Sequence, residues 1–378
     1  MAVRSDNNTV LAGVTPGGMA TPASAGEVAD ILRSTTGTVV PVGAGTKTGW
    51  AAAPTSCDLL LRTTALDRVV EHVPGDLVVV AEAGVPLETL QGQLAEHNQM
   101  LALDPPEPGA TLGGIVGANA SGPRRLRFGT VRDLLIGVTV VLADGTTARA
   151  GGKVVKNVAG YDLGKLYTGA HGALGVLVST TWRLHPLPAA AGTVTVPVAD
   201  AAEAGRLANL VARSTLTPTA VELRWDGGSG ELVVLFESIP ASVEAQSAAA
   251  IELLGGGERA DEPPDWFGER PTGGVVLRMA YEPHALPRVL AALPAGSAGT
   301  ASACTGVAYL SVPADADLAA LRAAIAPYDG SAVVLGKPAD LDVDHWGPVA
   351  DSFGLMTRVK DQFDPGRRLS PGRLLGGL

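Results

Sequence analysis

The sequence predicts an α+β chain in which a glycine-rich α/β part is followed by an antiparallel or mixed sheet with helices on one face. Three observations predict it. Short β-branched runs separated by single helical patterns fill the first third. A glycine-dense stretch, Asp104 to Pro186, then holds two longer apolar runs, Leu134–Leu142 and Val176–Leu184, suited to buried strands. From Thr193 glycine motifs give way to alanine-rich alternation of strand and helix, in two loose rounds. At 378 residues the chain is long enough for about two domains. The expected division is a first domain over 1–190, built of parts 1–75 and 76–190, a second over 191–336, and a terminal segment over 337–378.

Element by element, the first helix is expected from about Ala25 to Thr35, with Ser24 as N-cap and Glu27 three residues on. Strand Val39–Val42 leads into the glycine turn Gly43–Gly49. Leu59–Arg62, Val69–Val73 and Leu77–Ala81 read as strands, and Pro86 opens a helix to about Glu96, where its missing N–H costs nothing. Farther on, Val194–Val198, Ala220–Arg224 and Leu232–Phe236 read as strands around helices Ala201–Ser214 and Ala241–Leu254. The round repeats as strand Val275–Ala280, helix Pro287–Leu293, strand Val307–Val312, helix Leu318–Ala326 and strand Ala332–Leu335. Gly255-Gly256-Gly257 and Asp261–Gly274, with Pro263, Pro264 and Pro271, read as a surface connector. The tail carries a helical stretch, Pro348–Gln362.

Composition excludes several classes. With 46% apolar and 17% charged residues the chain is not disordered. A net charge of −10 argues against nucleic acid as the main partner, which needs a clustered basic surface. Arg124, Arg125 and Arg127 form a local basic patch, either a solvated turn or a contact. No apolar run reaches the ~20 residues of a membrane helix, and Met1–Val10 lacks the apolar core of a secretory signal, so a cytoplasmic location is expected. Cys57 and Cys304 lack cluster spacing, as do His284 and His345, so neither an iron–sulfur nor another metal site is expected.

The chemistry concentrates in glycine. Pro41-Val42-Gly43-Ala44-Gly45-Thr46-Lys47-Thr48 follows a strand and offers consecutive backbone donors suited to a diphosphate. Alone it is a weak signal. It is not a Walker A loop, and Thr48 stands where the third glycine of a dinucleotide fingerprint would fall. The block Ala110 to Gly129 reads as a ligand-contacting stretch or as a long loop with tight turns packed on a sheet. His171 reads as solvent-facing or structural rather than catalytic. In Lys156-Asn157-Val158-Ala159-Gly160-Tyr161-Asp162 the plain reading is a turn ordered by Asn157 and Asp162 while Tyr161 packs.

Together with Phe363-Asp364-Pro365-Gly366 and Pro371-Gly372-Arg373, these stretches resemble the FAD-binding domain of the vanillyl-alcohol oxidase, or PCMH-type, flavoproteins, with the glycolate oxidase FAD-binding subunits the nearest likeness. The resemblance covers Val39 to Pro188 strongly and the tail moderately. It implies a two-subdomain FAD-binding domain with an α/β, ferredoxin-like cap, and a tail that packs back on the flavin domain. It assigns FAD contacts to Val42, Gly43, Ala44, Gly45, Thr46, Lys47 and Thr48, and to Ala110, Thr111, Gly113, Gly114, Gly117, Asn119, Ser121, Gly122, Arg127 and Gly129. Gly172, Gly175 and Val176 fall at the adenosine part. Gly43–Gly49 holds no histidine, so noncovalent FAD is implied. The implied activity is a 2-hydroxy-acid dehydrogenase complex, in which electrons pass to an iron–sulfur partner beside a second flavin subunit, with membrane association through partners. The cap motif G-H-x-G-D-G-N-x-H of sibling dehydrogenases is absent and no catalytic base stands out. A stand-alone dehydrogenase of a lactate-like acid or sugar alcohol, and a noncatalytic FAD-binding assembly subunit, remain open.

Overall fold

Strand pairing in the computed structural model, which describes residues 11–153, 162–349 and 351–378, sorts most strands into a three-stranded, a five-stranded and an eight-stranded sheet. The first holds β1 (Met19–Ala20), β2 (Val39–Val42) and β3 (Leu59–Arg62), parallel in the order β1-β3-β2. Helix α1 (Ala25–Ser34) crosses between β1 and β2. Ser24 accepts from the Glu27 N–H at 3.2 Å, but the Glu27 carboxylate turns to Ala23 N–H, so only half of the expected capping box forms. The helix buries Val28, Ala29 and Leu32 against Val39, Leu59, Leu61 and Val178.

The second sheet holds β4 (Val69–Val73), β5 (Val78–Glu82), β6 (Leu135–Val141), β7 (Thr147–Gly151) and β8 (Val176–Arg183), antiparallel in the order β4-β5-β8-β6-β7. Strand β8 alternates strictly, with Val176, Val178, Thr180 and Trp182 inside, as one buried face requires. Against this sheet pack α2 (Leu87–Ala95) and α3 (Leu112–Ala118), through Leu90, Leu94, Ile115 and Val116. The block from Ala110 to Gly129 is therefore not a loop. It folds as α3 and α4 (Arg125–Phe128), α5 (Val131–Leu134) follows directly, and α6 (Leu163–Tyr167) comes later, before β8. Glycine disfavours helix, yet in α3 it permits contact: a Cβ on Gly113 would stand 2.8 Å from Ala83 Cβ, and Gly113 N–H donates to Ala83 O at 2.7 Å.

The eight-stranded sheet is wholly antiparallel and consists of two βαββαβ units. The first runs β9 (Ala190–Val198), α7 (Ala201–Arg213), β10 (Ala220–Asp226), β11 (Gly230–Ser238), α8 (Pro240–Leu254) and β12 (Glu258–Ala260). The second runs β13 (Val275–Ala280), α9 (Leu286–Ala291), β14 (Ala298–Ser302), β15 (Val307–Val312), α10 (Leu318–Ile325) and β16 (Ser331–Gly336). The order β12-β9-β11-β10-β14-β15-β13-β16 joins the units through the second strand of each, Leu223 pairing with Ala301. This is the ferredoxin-like connection, used twice. Helices α7 to α10 cover one face through Leu207, Val211, Leu254, Val289 and Ile325. The other face presents Glu222, Arg278, Ser302 and Tyr309, with Val307, Tyr309 and Leu335 packed on Trp50.

The tail returns to the first sheet. After α11 (Phe353–Phe363), Leu369 pairs with Val39, whose N–H donates to Arg368 O and whose carbonyl accepts from Ser370 N–H.

Candidate cofactor site

Strand β2 ends at Val42, and the loop after it, Gly43 to Thr48, lines a cleft of about 830 Å³, open mouth included. Val42 also faces this space. Among the described residues, no protein acceptor takes the N–H of Gly43, Ala44, Gly45, Thr46, Lys47 or Thr48. A run of unpaired amides over a glycine turn is a nest for an anion. Opposite lie Thr111 and the α3 glycines Gly113, Gly114 and Gly117. The two sides meet closely, since a Cβ on Gly43 would stand 2.0 Å from Thr111 Oγ1. That hydroxyl is buried and has no partner among the described residues.

The third wall is the turn from Ala170 to Gly172 and the start of β8 at Gly175 and Val176. Backbone bonds fix this turn to α3, Gly169 N–H donating to Val116 O and His171 N–H to Gly117 O, both at 2.9 Å. Gly172 has φ +76°, and a Cβ there would lie 2.3 Å from Pro41 Cγ, so only glycine lets this turn meet the strand before the first loop. His171 faces the cleft rather than solvent and stacks edge-on against Trp346 at 5.9 Å. Burial, then Arg373 and Arg278, push its pKa down to about 3, which keeps the imidazole neutral. The tail supplies Arg373, whose Nη2 donates to Thr48 O at 2.8 Å.

Six residues assigned by resemblance do not line the cleft. Ala110 accepts from Leu87 N–H. Asn119 caps α3 in the left-handed conformation, and Gly129 ends α4 with φ +81°. Gly122 allows close backbone approach, since a Cβ would lie 2.0 Å from Asp104 O. Ser121 O accepts from Arg125 and Arg270, and Arg127 donates to Thr217 O across to the eight-stranded sheet's side. Ser121 and Arg127 thereby take part in the joint between the layers. Lys156 to Tyr161 lie outside the described residues, as do residues 1–10.

That joint settles the basic patch. Arg124 pairs with Glu237 at 2.6 Å, and Arg125 donates to Tyr309 Oη at 3.1 Å. The segment Asp261–Gly274 is more than a surface connector, because Arg270 leaves it to pair with Glu107 at 3.0 Å and lies 3.5 Å over the Tyr309 ring. Glu107 in turn faces Lys47 at 3.6 Å, and burial pushes the Lys47 ammonium down while Glu107 pushes it back up. Sequence reasoning missed Arg270 and the cleft positions of His171 and Arg373. Only the Pro371-Gly372-Arg373 motif gave any signal of the last.

Glu222 is buried on the same sheet face, and burial raises its carboxyl to about 7 against a hydrogen bond from Ser302. A raised carboxyl costs folded stability as pH climbs from the unfolded value through the folded one, because the unfolded chain releases the proton first. Glu222→Gln is therefore expected to gain about 3 kcal/mol relative to the parent between pH 5 and pH 8. Urea unfolding at the two pH values checks this, and a constant difference would refute it.

Among the described residues no group of acidic, histidine or cysteine side chains could hold a metal, and no helix is long and apolar enough to cross a membrane. Residues 16–151 match the family described as FAD binding domain. Glycolate oxidase subunit GlcE of Escherichia coli (strain K12) is 43% identical over 124 residues, 32% of this chain and 35% of that one. D-lactate dehydrogenase of Archaeoglobus fulgidus is 32% identical over 268 residues, 64% of this chain and 59% of that one. This chain thus spans about a third of the first relative's length and about three fifths of the second's. A solved structure of alkyldihydroxyacetonephosphate synthase superposes with TM-score 0.70 over 95% of this chain and 76% of the other, at 15% identity, a likeness of fold alone. The matched segment, 16–151, supplies the first loop and α3, two of the three walls described above, so the likeness to the FAD-binding family falls on the part of the chain that builds most of the cleft.

Proposed function

We propose that the chain holds FAD noncovalently in this cleft and works as an FAD-dependent 2-hydroxy-acid oxidoreductase, as a subunit of a larger complex. The observation that carries the reading is the run of unpaired amides from Gly43 to Thr48 facing an α-helix of glycines. Those amides suit the diphosphate, Gly113, Gly114 and Gly117 leave a flat wall for the ring system, and Gly172, Gly175 and Val176 suit the adenosine part. Bound FAD supplies a two-electron acceptor for the hydride of a substrate carbon. The residues of the chain exclude water and orient the cofactor, and His171 on the cleft wall stays neutral.

Relatives named glycolate oxidase subunit and D-lactate dehydrogenase support the substrate class. The two cysteines stand apart, at Cys57 and Cys304, a spacing that suits electron transfer to an iron–sulfur partner rather than to a cluster of this chain's own. A cytoplasmic setting, with any membrane contact made through partners, fits this reading. The test is anaerobic addition of glycolate or D-lactate to the purified, FAD-loaded chain, followed at the flavin bands. Bleaching by the chain alone marks a stand-alone dehydrogenase, and bleaching only with co-purified partners marks the complex.

A noncatalytic FAD-binding subunit is favoured by one observation. No residue from 191–336 lines the cleft, and Lys47, Glu107, Arg270 and Tyr309 form a closed chain of contacts between it and the eight-stranded sheet. Persistent lack of reduction in the complex, with FAD bound, would select that reading. Noncovalent attachment is tested separately. Acid precipitation is expected to release all the flavin into the supernatant, whereas yellow pellets would show a covalent link, with His171 the first nucleophile to examine.

A further inference from the structure

Arg373 is 4% exposed and lines the cleft, and among the described residues no carboxylate pairs with it. Its Nη2 is held by Thr48 O at 2.8 Å, its own carbonyl accepts from Trp346 Nε1 at 3.1 Å, and its Nη1 is buried with no partner among the described residues. A buried guanidinium without a counter-ion is costly. Burial pushes this one down to about 10. The fork is anchored at the end of the loop whose amides are also unpaired, so the free nitrogen and the amide run belong to one electropositive pocket.

We propose that Arg373, brought 325 residues along the chain to Thr48, is the cation that pairs with the cofactor's diphosphate, and that the tail thereby closes the cofactor site. The inference rests on the FAD reading above. Backbone amides supply neutral donors; the guanidinium adds the charge that lets the site distinguish a nucleoside diphosphate from an uncharged flavin. Tail docking and cofactor binding are then linked, since each supplies what the other lacks.

The experiment measures FAD, ADP and riboflavin binding to the wild-type chain, Arg373→Gln and Arg373→Lys, with apo folding followed by circular dichroism. Gln keeps an amide donor for Thr48 O but no charge. Its FAD and ADP affinities are expected to fall about 10- to 100-fold, with riboflavin unchanged, and Lys is expected to restore most of the loss. Equal FAD and ADP affinities in wild type and R373Q, or equal losses for ADP and riboflavin, would overturn the proposal. If wild type binds no FAD, the functional reading itself fails, which is a separate result. Should R373Q not fold, arginine-labelled wild type carries the test. The Arg373 guanidinium resonance, assigned by its absence in R373K, must shift with ADP and not with riboflavin, and a resonance unmoved by ADP overturns the proposal.

Discussion

Gly117→Leu is expected to bind FAD at least about 100-fold more weakly while the apo protein is as stable as the parent or more so. Gly117 lies in α3 and lines the cleft, and a Cβ there would meet no atom within 4 Å. The added side chain therefore starts into the cleft, with its Cβ free of the protein. Leucine also favours helix over glycine by up to about 1 kcal/mol. Displacing the cofactor from two charge-assisted hydrogen bonds, at about 1.5–3 kcal/mol each, gives the expected loss. The opposite signs make the result diagnostic, because a substitution that damages the fold lowers both quantities. Gly43→Val is the contrast. Its Cβ would stand 2.0 Å from Thr111 Oγ1, so valine must displace the loop and lower stability as well as binding. Flavin fluorescence titration with urea unfolding of the apo forms measures both. Unchanged FAD affinity in Gly117→Leu would show that the cofactor does not lie along α3.

Strands Val39–Val42, Leu59–Arg62, Val69–Val73, Val275–Ala280 and Val307–Val312 have the same ends in sequence and structure, because short apolar runs carry their own limits. Ala298–Ser302 and Thr147–Gly151 carry no such pattern. The first is a strand because it joins the two βαββαβ units by pairing with β10 and β15, a tertiary cause that periodicity cannot show. The first glycine loop was legible because its donors are consecutive. Gly122 and Gly129 were legible as glycines but not by purpose: one admits Asp104 O and the other ends α4, and sequence writes both as it writes Gly117. Arg270 and Arg373 were illegible for another reason. Each arrives from a remote segment, so their charge meets the loop only after the layers have assembled.

That assembly depends on a second buried charge in the tail, and Lys360→Met is expected to cost about 3–5 kcal/mol of stability. The Lys360 ammonium is 1% exposed and donates to Asp364 Oδ2 at 2.7 Å, to Ala173 O at 2.7 Å and to Leu369 O at 2.8 Å. Burial pushes its pKa down and Asp364 pushes it back up. Removing the ammonium leaves the fully buried Asp364 carboxylate with the N–H groups of Arg368 and Leu369 as its remaining donors. Asp364→Asn in the same background removes that charge, so the double variant is expected to recover part of the loss, and a double-mutant cycle by urea unfolding reads the coupling. The consequence reaches the cleft. Ala173 follows Gly172, and Leu369 is paired with Val39 at the head of the strand that leads to Gly43, so one ammonium ties the tail to two walls of the site. Lys360→Met is accordingly expected to weaken FAD binding in step with stability, whereas a loss confined to stability would place the lysine's work in the tail alone.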